Sequence, residues 1–283
     1  MVLRRVWQGR GQGRGQGWWQ VWWLTWKSRR EDAAVQRRPI PDDLWKRTLV
    51  RYPFLQRRDA ADAAELRRLT SLFLDRKEFS AAGGLKLTDA VVVSIAAQAV
   101  LPVLRLGLAR YDGFVGIVVH PDQVMARREV ADDDGIVHAY DEALAGEAME
   151  GGPVMLSWRD VRSAGQMASA AYNVVIHEFA HVLDMADGLA NGVPLLPPEL
   201  PLEEWARTLG AEFEAFVQRV EAGLDTVLDP YGAQAEEEFF AVASEAFFVS
   251  PEAMKKEHPA LYGVLSRFYL QDPAADRPPA RLT

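Results

Sequence analysis

The chain has 283 residues, of which 49% are hydrophobic and 25% charged, an ordinary globular composition for one large domain or two small ones. It contains no cysteine, which excludes disulfide scaffolds, thiolate zinc sites, iron–sulfur clusters and cysteine nucleophiles. The net charge of −8 hides a split, because residues 1–38 carry +7 and the remaining 245 residues carry −15. An acidic body argues against nucleic acid as a partner.

The first 38 residues differ from the rest of the chain. Residues 1–38 hold six of the nine tryptophans, and residues 9–17 are a low-complexity GRGQGRGQG stretch. We therefore expect residues 1–38 to form a disordered, basic leader rich in Trp, Gly, Gln and Arg. Its Trp run could sit at an anionic membrane surface, or the leader could be a dispensable extension. Residues 39–275 are predicted to be the folded domain, followed by a flexible tail over 276–283.

Nothing in the sequence reads as a membrane span or a secretion signal. The longest apolar stretch, Ala90–Leu104, is interrupted by polar residues and Pro102 and is shorter than the roughly 20 residues that a span needs. The leader has no apolar run followed by a small-residue cleavage site. A cytoplasmic location is therefore expected.

Hydrophobic periodicity predicts many helices and few strands, and hence an α+β fold with a small mixed sheet against a mostly helical body. The predicted strands are residues 114–119 and 153–157, with a possible third near 136–139. Thr88 is a candidate N-cap for a buried helix that reaches Val100, with a kink or restart at Pro102. The other predicted helices cover residues 42–51, 62–79, 168–185, 202–222, 236–249 and 259–270.

Residues 177–181 form an HExxH motif. In a helix, His177 and His181 lie on the same face, so that both imidazoles can bind one metal ion, while Glu178 reaches a water on that metal. Zinc suits two imidazoles, one further protein ligand and an open position. Because the flanking residues are apolar, a solvated surface helix is a poor alternative.

The third ligand is expected on the later acidic helix. Periodicity alone does not choose among Glu236, Glu237 and Glu238, although Glu238 and Glu245 lie on an inward-facing apolar stripe. Glu236 and Glu237 fit a solvated first turn that the helix dipole favours. Glu245 and Asp184 are candidates to hold the second nitrogen of a ligand histidine.

Several motifs together resemble the Mlc titration factor A family of bacterial zinc metallopeptidases. They are HEFAHVLD at 177–184, DPY at 229–231 and EFFAVASE at 238–245, with further similar stretches at 101–104, 107–108, 111–114, 152–158, 192–194 and 268–273. The resemblance covers residues 40–275 and leaves the leader out. It implies a core fold related to the peptidase domain of anthrax lethal factor.

The resemblance also implies roles for individual residues. His177, His181 and Glu238 would bind one Zn²⁺, Glu178 would be the general base and Tyr231 would line the site. Family members are described as aminopeptidase-like, and they bind the glucose repressor Mlc. The chain is thus expected to hydrolyse peptide substrates through a zinc-bound water, and the alternative is a regulatory protein that sequesters a repressor of the Mlc type.

The chemistry of these residue types agrees with those roles. A carboxylate beside the metal can take a proton and pass it to the leaving amine, and a tyrosine O–H can donate to an oxyanion. A half-buried turn tyrosine is the alternative for Tyr231. The strand at 153–157 could pair with an extended peptide, or it could be an internal strand that meets no substrate.

Overall fold

A computed structural model describes residues 30–131, 137–149, 151–164 and 171–275, with only the backbone course given for 124–144. The helices are α1 (30–37), α2 (Asp42–Arg51), α3 (Ala60–Arg76), α4 (Asp89–Ala99), α5 (Trp158–Ala164), α6 (Val174–Asp184), α7 (Leu202–Glu221), α8 (Glu236–Val249), α9 (Pro251–Glu257) and α10 (Pro259–Tyr269). The strands are β1 (Glu78–Ala81), β2 (Gly116–His120), β3 (Val124–Ala131), β4 (Val137–Leu144), β5 (Gly146–Ala148) and β6 (Val154–Ser157). Short 3-10 turns cover Pro53–Gln56, Leu108–Tyr111, Met185–Asp187 and Pro230–Ala233.

The strands form two sheets. The larger has the order β1-β2-β6-β5, in which β1, β2 and β6 are parallel and β5 is an antiparallel edge strand. The smaller is an antiparallel hairpin of β3 and β4. Alternate residues of the central strands, such as Ile117 and Val119, are fully buried against the helices. The expected α+β fold, mostly helical with a small mixed sheet, is confirmed.

Helix α6 runs through the centre of the molecule beneath the sheet. Its N-cap is Asn173, whose side-chain oxygen accepts the Ile176 N–H at 3.1 Å. Phe179, inside the HExxH motif, is fully buried in an aromatic cluster, with ring centroids 5.0–5.7 Å from those of Phe73, Tyr111 and Phe114. Because α6 is packed on this side, its histidines face the opposite side in a fixed orientation.

Several predicted bounds differ from the structure. The helix predicted over 62–79 ends at Arg76, because the Glu78 N–H bonds to the Val115 carbonyl at 3.0 Å and starts β1. No helix restarts after Pro102; instead residues 101–106 form turns, ending at Gly107 with a φ of +84°. Strands β3 and β5 and helices α5 and α9 escaped prediction because each is short or lacks a clear period.

Residues 1–29 of the leader predicted over 1–38, and the predicted tail over 276–283, lie outside the described residues. Residues 30–37, which were included in the predicted disordered leader, instead form α1. Ala34 is buried, and Glu31 pairs with Arg68 and Arg76 at 3.1 and 3.2 Å, so that charge pairing and burial order this segment. In the described part of the chain, no helix is long and apolar enough to cross a bilayer.

Candidate metal centre

Two helices bring the three predicted ligands together. His177 and His181 project from α6, and Glu238 comes from the first turn of α8. The two histidine Nε2 atoms are 3.2 Å apart, and Glu238 Oε2 lies 3.1 Å from His177 Nε2 and 3.5 Å from His181 Nε2. Among the described residues, this is the one group of three or more His, Cys, Asp or Glu that could hold a metal ion.

The spacing of these atoms fits a zinc ion. Four ligands about 2.0–2.2 Å from a tetrahedral centre lie roughly 3.3–3.6 Å from one another, which is close to the 3.1–3.5 Å observed here. The charge also fits, because hydrogen bonds with both histidines outweigh burial and lower the pKa of Glu238 to about 2. An ionised carboxylate and two imidazoles are a donor set that zinc prefers.

Glu245 holds the ring of His177 from the other side. Its Oε1 lies 2.8 Å from His177 Nδ1, and its Oε2 accepts the backbone N–H of Asn173. The Asn173 side chain in turn donates to Gln98 Oε1 at 2.9 Å. All of these partners are buried, so His177 Nε2 is fixed towards Glu238 and His181. Glu245 therefore lies where the sequence analysis expected a partner of a ligand histidine.

Asp184 has a different role from the one considered for it. One of its oxygens accepts the N–H groups of Asn191 and Gly192 at 3.0 and 2.9 Å. The other oxygen is buried and has no hydrogen-bond partner among the residues that the structure describes. The carboxylate thus binds the 191–192 loop to the end of α6 and makes no hydrogen bond to a ligand histidine within the described residues.

The 191–192 loop also contacts α8 next to Glu238, the predicted third ligand. Gly192 has a φ of +73°, and a Cβ built there would stand 2.8 Å from the Glu236 carbonyl oxygen. Its own carbonyl accepts the Trp205 indole N–H at 3.0 Å. Sequence reasoning missed this glycine, since only the fold shows that α8 approaches so closely. The contact fixes the first turn of α8, which carries Glu238.

Glu178 lies beside the cluster, against the edge strand. Its side chain is buried, and this burial raises its pKa to about 7, close to the value that suits a general base at neutral pH. A Cβ at Gly146 of β5 would come within 2.6 Å of Glu178 Cγ. The close approach of Glu178 to β5 thus depends on a glycine at position 146, which sequence reasoning also missed.

Tyr231 lies at the rim of the same cleft. Its ring centroid is 6.0 Å from that of His177, and 38% of the residue is exposed. The Asp229 carboxylate accepts the Tyr231 N–H at 2.9 Å, and Gly232 packs closely on α8. The cleft has a volume of about 300 Å³, and its lining includes Gln123, Ala145, Gly146, Tyr172, Val174, His177, Glu178, Asp229, Tyr231, Val242 and Glu245.

Two histidines from one HExxH helix and a glutamate from a second helix form the ligand arrangement of a class of metallopeptidases. In agreement with this, residues 23–270 match the family model described as glucose-regulated metallo-peptidase M90. The chain belongs to this family. The match begins before residue 30, so it includes α1 and the end of the Trp run.

Similar proteins support the same assignment. The chain is 34% identical over 229 residues to Mlc titration factor A of Pectobacterium atrosepticum, with 80% of this chain and 85% of that protein covered. It is 35% identical to the protein of the same name from Serratia proteamaculans, covering 82% and 88%. An uncharacterised protein of Synechocystis is 35% identical, covering 83% and 86%. The predicted resemblance to the Mlc titration factor A family is confirmed.

Proposed function

We propose that the chain is a zinc-dependent peptidase whose active site is the cleft between α6, α8 and β5. The observation that carries this proposal is the convergence of the ligand atoms of His177, His181 and Glu238 to within 3.5 Å of one another, beside a buried carboxylate. When bound, zinc polarises a substrate carbonyl and lowers the pKa of water. His177, His181 and Glu238 are the proposed ligands.

Glu178 is the proposed general base. Its carboxylate is held between α6 and β5, and its raised pKa lets it accept a proton near pH 7 and return it to the leaving amine. Tyr231 is placed at the open rim, where its O–H can donate to the carbonyl oxygen as negative charge develops there. Glu245 keeps the His177 ring oriented throughout.

The edge strand β5 is the proposed binding surface for the substrate backbone. The earlier hypothesis that residues 153–157 pair with a peptide is wrong, because β6 is paired with β2 on one side and β5 on the other. Among the described residues no strand pairs with the outer edge of β5. An extended peptide can add to such an edge through main-chain hydrogen bonds.

The test is hydrolysis of two substrate sets by zinc-loaded protein, with and without chelator. Aminoacyl substrates probe the aminopeptidase activity that the resemblance implies, and peptides blocked at the amino end probe internal cleavage. We expect Glu178→Gln to retain zinc and to lose at least about 100-fold in kcat/KM. Activity that survives in Glu178→Gln would contradict the mechanism.

Repressor binding is the second candidate function, and the names of the relatives favour it, since several are called Mlc titration factor A. A chain of this family could sequester a repressor of the Mlc type whether or not it hydrolyses peptides. Pull-down of purified Mlc-type repressor by wild type and by Glu178→Gln tests this, because sequestration needs no general base. Absence of binding by both proteins would contradict it.

A further inference from the structure

A second cavity lies further along β5 and α6, the two elements that also line the candidate active site. Its volume is about 400 Å³. One wall is formed by Met149, Gly151 and Gly152, and the Gly152 N–H bonds to the Met149 carbonyl at 3.0 Å. The C-terminal end of α6 forms the opposite wall, and residues 109–114 close the floor. The lining includes Arg110, Phe114, Met149, Val154, Val182 and Leu195.

Both cavities are lined by residues of α6 and by residues in or next to β5. The first cavity lies near the start of β5, and the second lies just after its end. The first is lined by Ala145 and Gly146 at the start of β5 and by Glu178 on α6. The second is lined by Met149, just after β5, and by Val182, the residue that follows the ligand His181. At about 3.3 Å per strand residue, the second cavity begins roughly 10 Å from the catalytic carboxylate, which is the length of three extended residues.

No described strand pairs with the outer edge of β5 along this path. The Ala145 carbonyl accepts the Ser157 N–H at 2.7 Å, so this residue faces β6. The alternation of an antiparallel ladder then turns the backbone groups of Gly146 and Ala148 towards the outer edge. A peptide that pairs antiparallel with β5 runs from the second cavity towards Glu178. Its residues before the cleaved bond therefore lie at the second cavity.

The wall of the second cavity is apolar. Phe114 and Val154 are buried at its base, while Met149 and Leu195 are 42% and 45% exposed at its mouth. The one charged side chain among its described lining residues, Arg110, donates to the Leu195 carbonyl at 2.7 Å. A bulky apolar group that enters here removes apolar surface from water on both sides of the contact.

We propose that this second cavity is a substrate subsite, and that it accepts a bulky apolar side chain two or three residues before the bond that is cut. This inference rests on the proposed peptidase function and deepens it. It requires substrates with several residues on the amino side of the cleaved bond. The chain would therefore cut extended peptides internally, in addition to any removal of single amino-terminal residues.

The experiment uses the full chain loaded with zinc and a set of internally quenched peptides that are identical except at two positions. The second and third residues before the cleaved bond are Leu, Phe, Ser or Asp in turn, and mass spectrometry fixes the bond. We expect kcat/KM for Leu or Phe to exceed that for Ser by about tenfold or more. Equal values of kcat/KM for Leu, Ser and Asp, or cuts that mass spectrometry places on the amino side of the Leu or Phe, would overturn the proposal.

Two variants test the wall directly. In Met149→Glu and in Leu195→Glu, the preference for Leu over Ser should fall to within about twofold, and peptides with Lys at that position should improve. Leu224→Glu is the matched control, because Leu224 is 57% exposed and does not line the cavity. A Leu preference that persists in both cavity variants as in the control would contradict the subsite.

A binding measurement separates this inference from the proposed function. Fluorescence anisotropy with Glu178→Gln and labelled peptides reports Kd without turnover, and the Leu peptide should bind about tenfold more tightly than the Ser peptide. If wild type cleaves no peptide in a Glu178-dependent way, the proposed function fails and this inference fails with it. If cleavage depends on Glu178 but neither kcat/KM nor Kd distinguishes Leu from Ser, the subsite alone is refuted.

Discussion

Glu245 Oε1 lies 2.8 Å from His177 Nδ1, so a buried carboxylate on α8 orients a histidine of α6 that we propose as a metal ligand. The same helix supplies Glu238 on the opposite side of that ring, at 3.1 Å from Nε2. Helix α8 therefore contributes both a proposed ligand, Glu238, and the carboxylate of Glu245 that orients another proposed ligand, His177. The geometry of the proposed metal centre therefore depends on how α8 packs against α6.

The carboxylate of Glu245 should matter for zinc affinity. In Glu245→Gln the amide no longer offers a charged acceptor to His177 Nδ1–H, and we expect the Kd for zinc to rise about 10–100-fold. Competition with a chromophoric chelator measures it. Glu236→Gln, an exposed position on the same helix, is the control and should keep the wild-type Kd. Equal affinities for the two variants would contradict the role of Glu245.

The glycine at position 146 should be needed for activity more than for metal binding. In Gly146→Ala the new methyl group would overlap the Glu178 side chain, which must then move from β5. We expect kcat to fall at least about tenfold while zinc content stays at one per chain. Gly210→Ala, at an open position in α7, is the control and should retain full kcat. A fully active Gly146→Ala protein would refute this.

Gly192 should affect both stability and metal binding. The left-handed backbone at this position costs an alanine roughly 1–2 kcal/mol, and the contact with the Glu236 carbonyl would displace the turn that carries Glu238. Chemical denaturation and zinc titration of Gly192→Ala measure the two effects. Gly223→Ala has a similar φ of +65° in open space, so it should lose stability alone. If zinc affinity is unchanged in Gly192→Ala, the contact does not position Glu238.

Lys77 should give the folded chain a pH-dependent stability. Burial lowers the pKa of Lys77 to about 8, and its ammonium donates to the carbonyls of Tyr111 and Phe114. Between pH 8 and the ordinary lysine value of about 10.5, the unfolded chain binds more protons than the folded one, so the free energy of unfolding should rise with pH. Urea unfolding of wild type and Lys77→Met at pH 7.5, 8.5 and 9.5 should show this rise in wild type only. A similar rise in both would contradict the assignment.

The sequence predicted the parts of the fold that depend on local pattern. Thr88 is the N-cap of α4, and its oxygen accepts the Val91 N–H at 3.4 Å. The spacing of His177 and His181 places both on one face because a helix repeats every 3.6 residues. Glu238 and Glu245 both face inward, as the stripe on α8 indicated.

Features that arise only from tertiary contacts escaped prediction. The three residues of β5 are too few to show alternation, yet this strand forms the edge against which Glu178 lies. The approach of Gly192 to α8 joins segments that no periodicity relates. The pairing of Glu31 with Arg68 and Arg76 orders residues that composition alone assigned to a disordered leader.

Zinc content is the most direct test of the proposed metal centre. Protein purified without added chelator is analysed by plasma mass spectrometry as wild type, Glu178→Gln and Glu238→Ala. If His177, His181 and Glu238 bind one zinc ion, the first two proteins should contain about one zinc per chain and Glu238→Ala much less, at equal helix content by circular dichroism. Full zinc occupancy in Glu238→Ala, or none in wild type after zinc is supplied, would contradict the assignment.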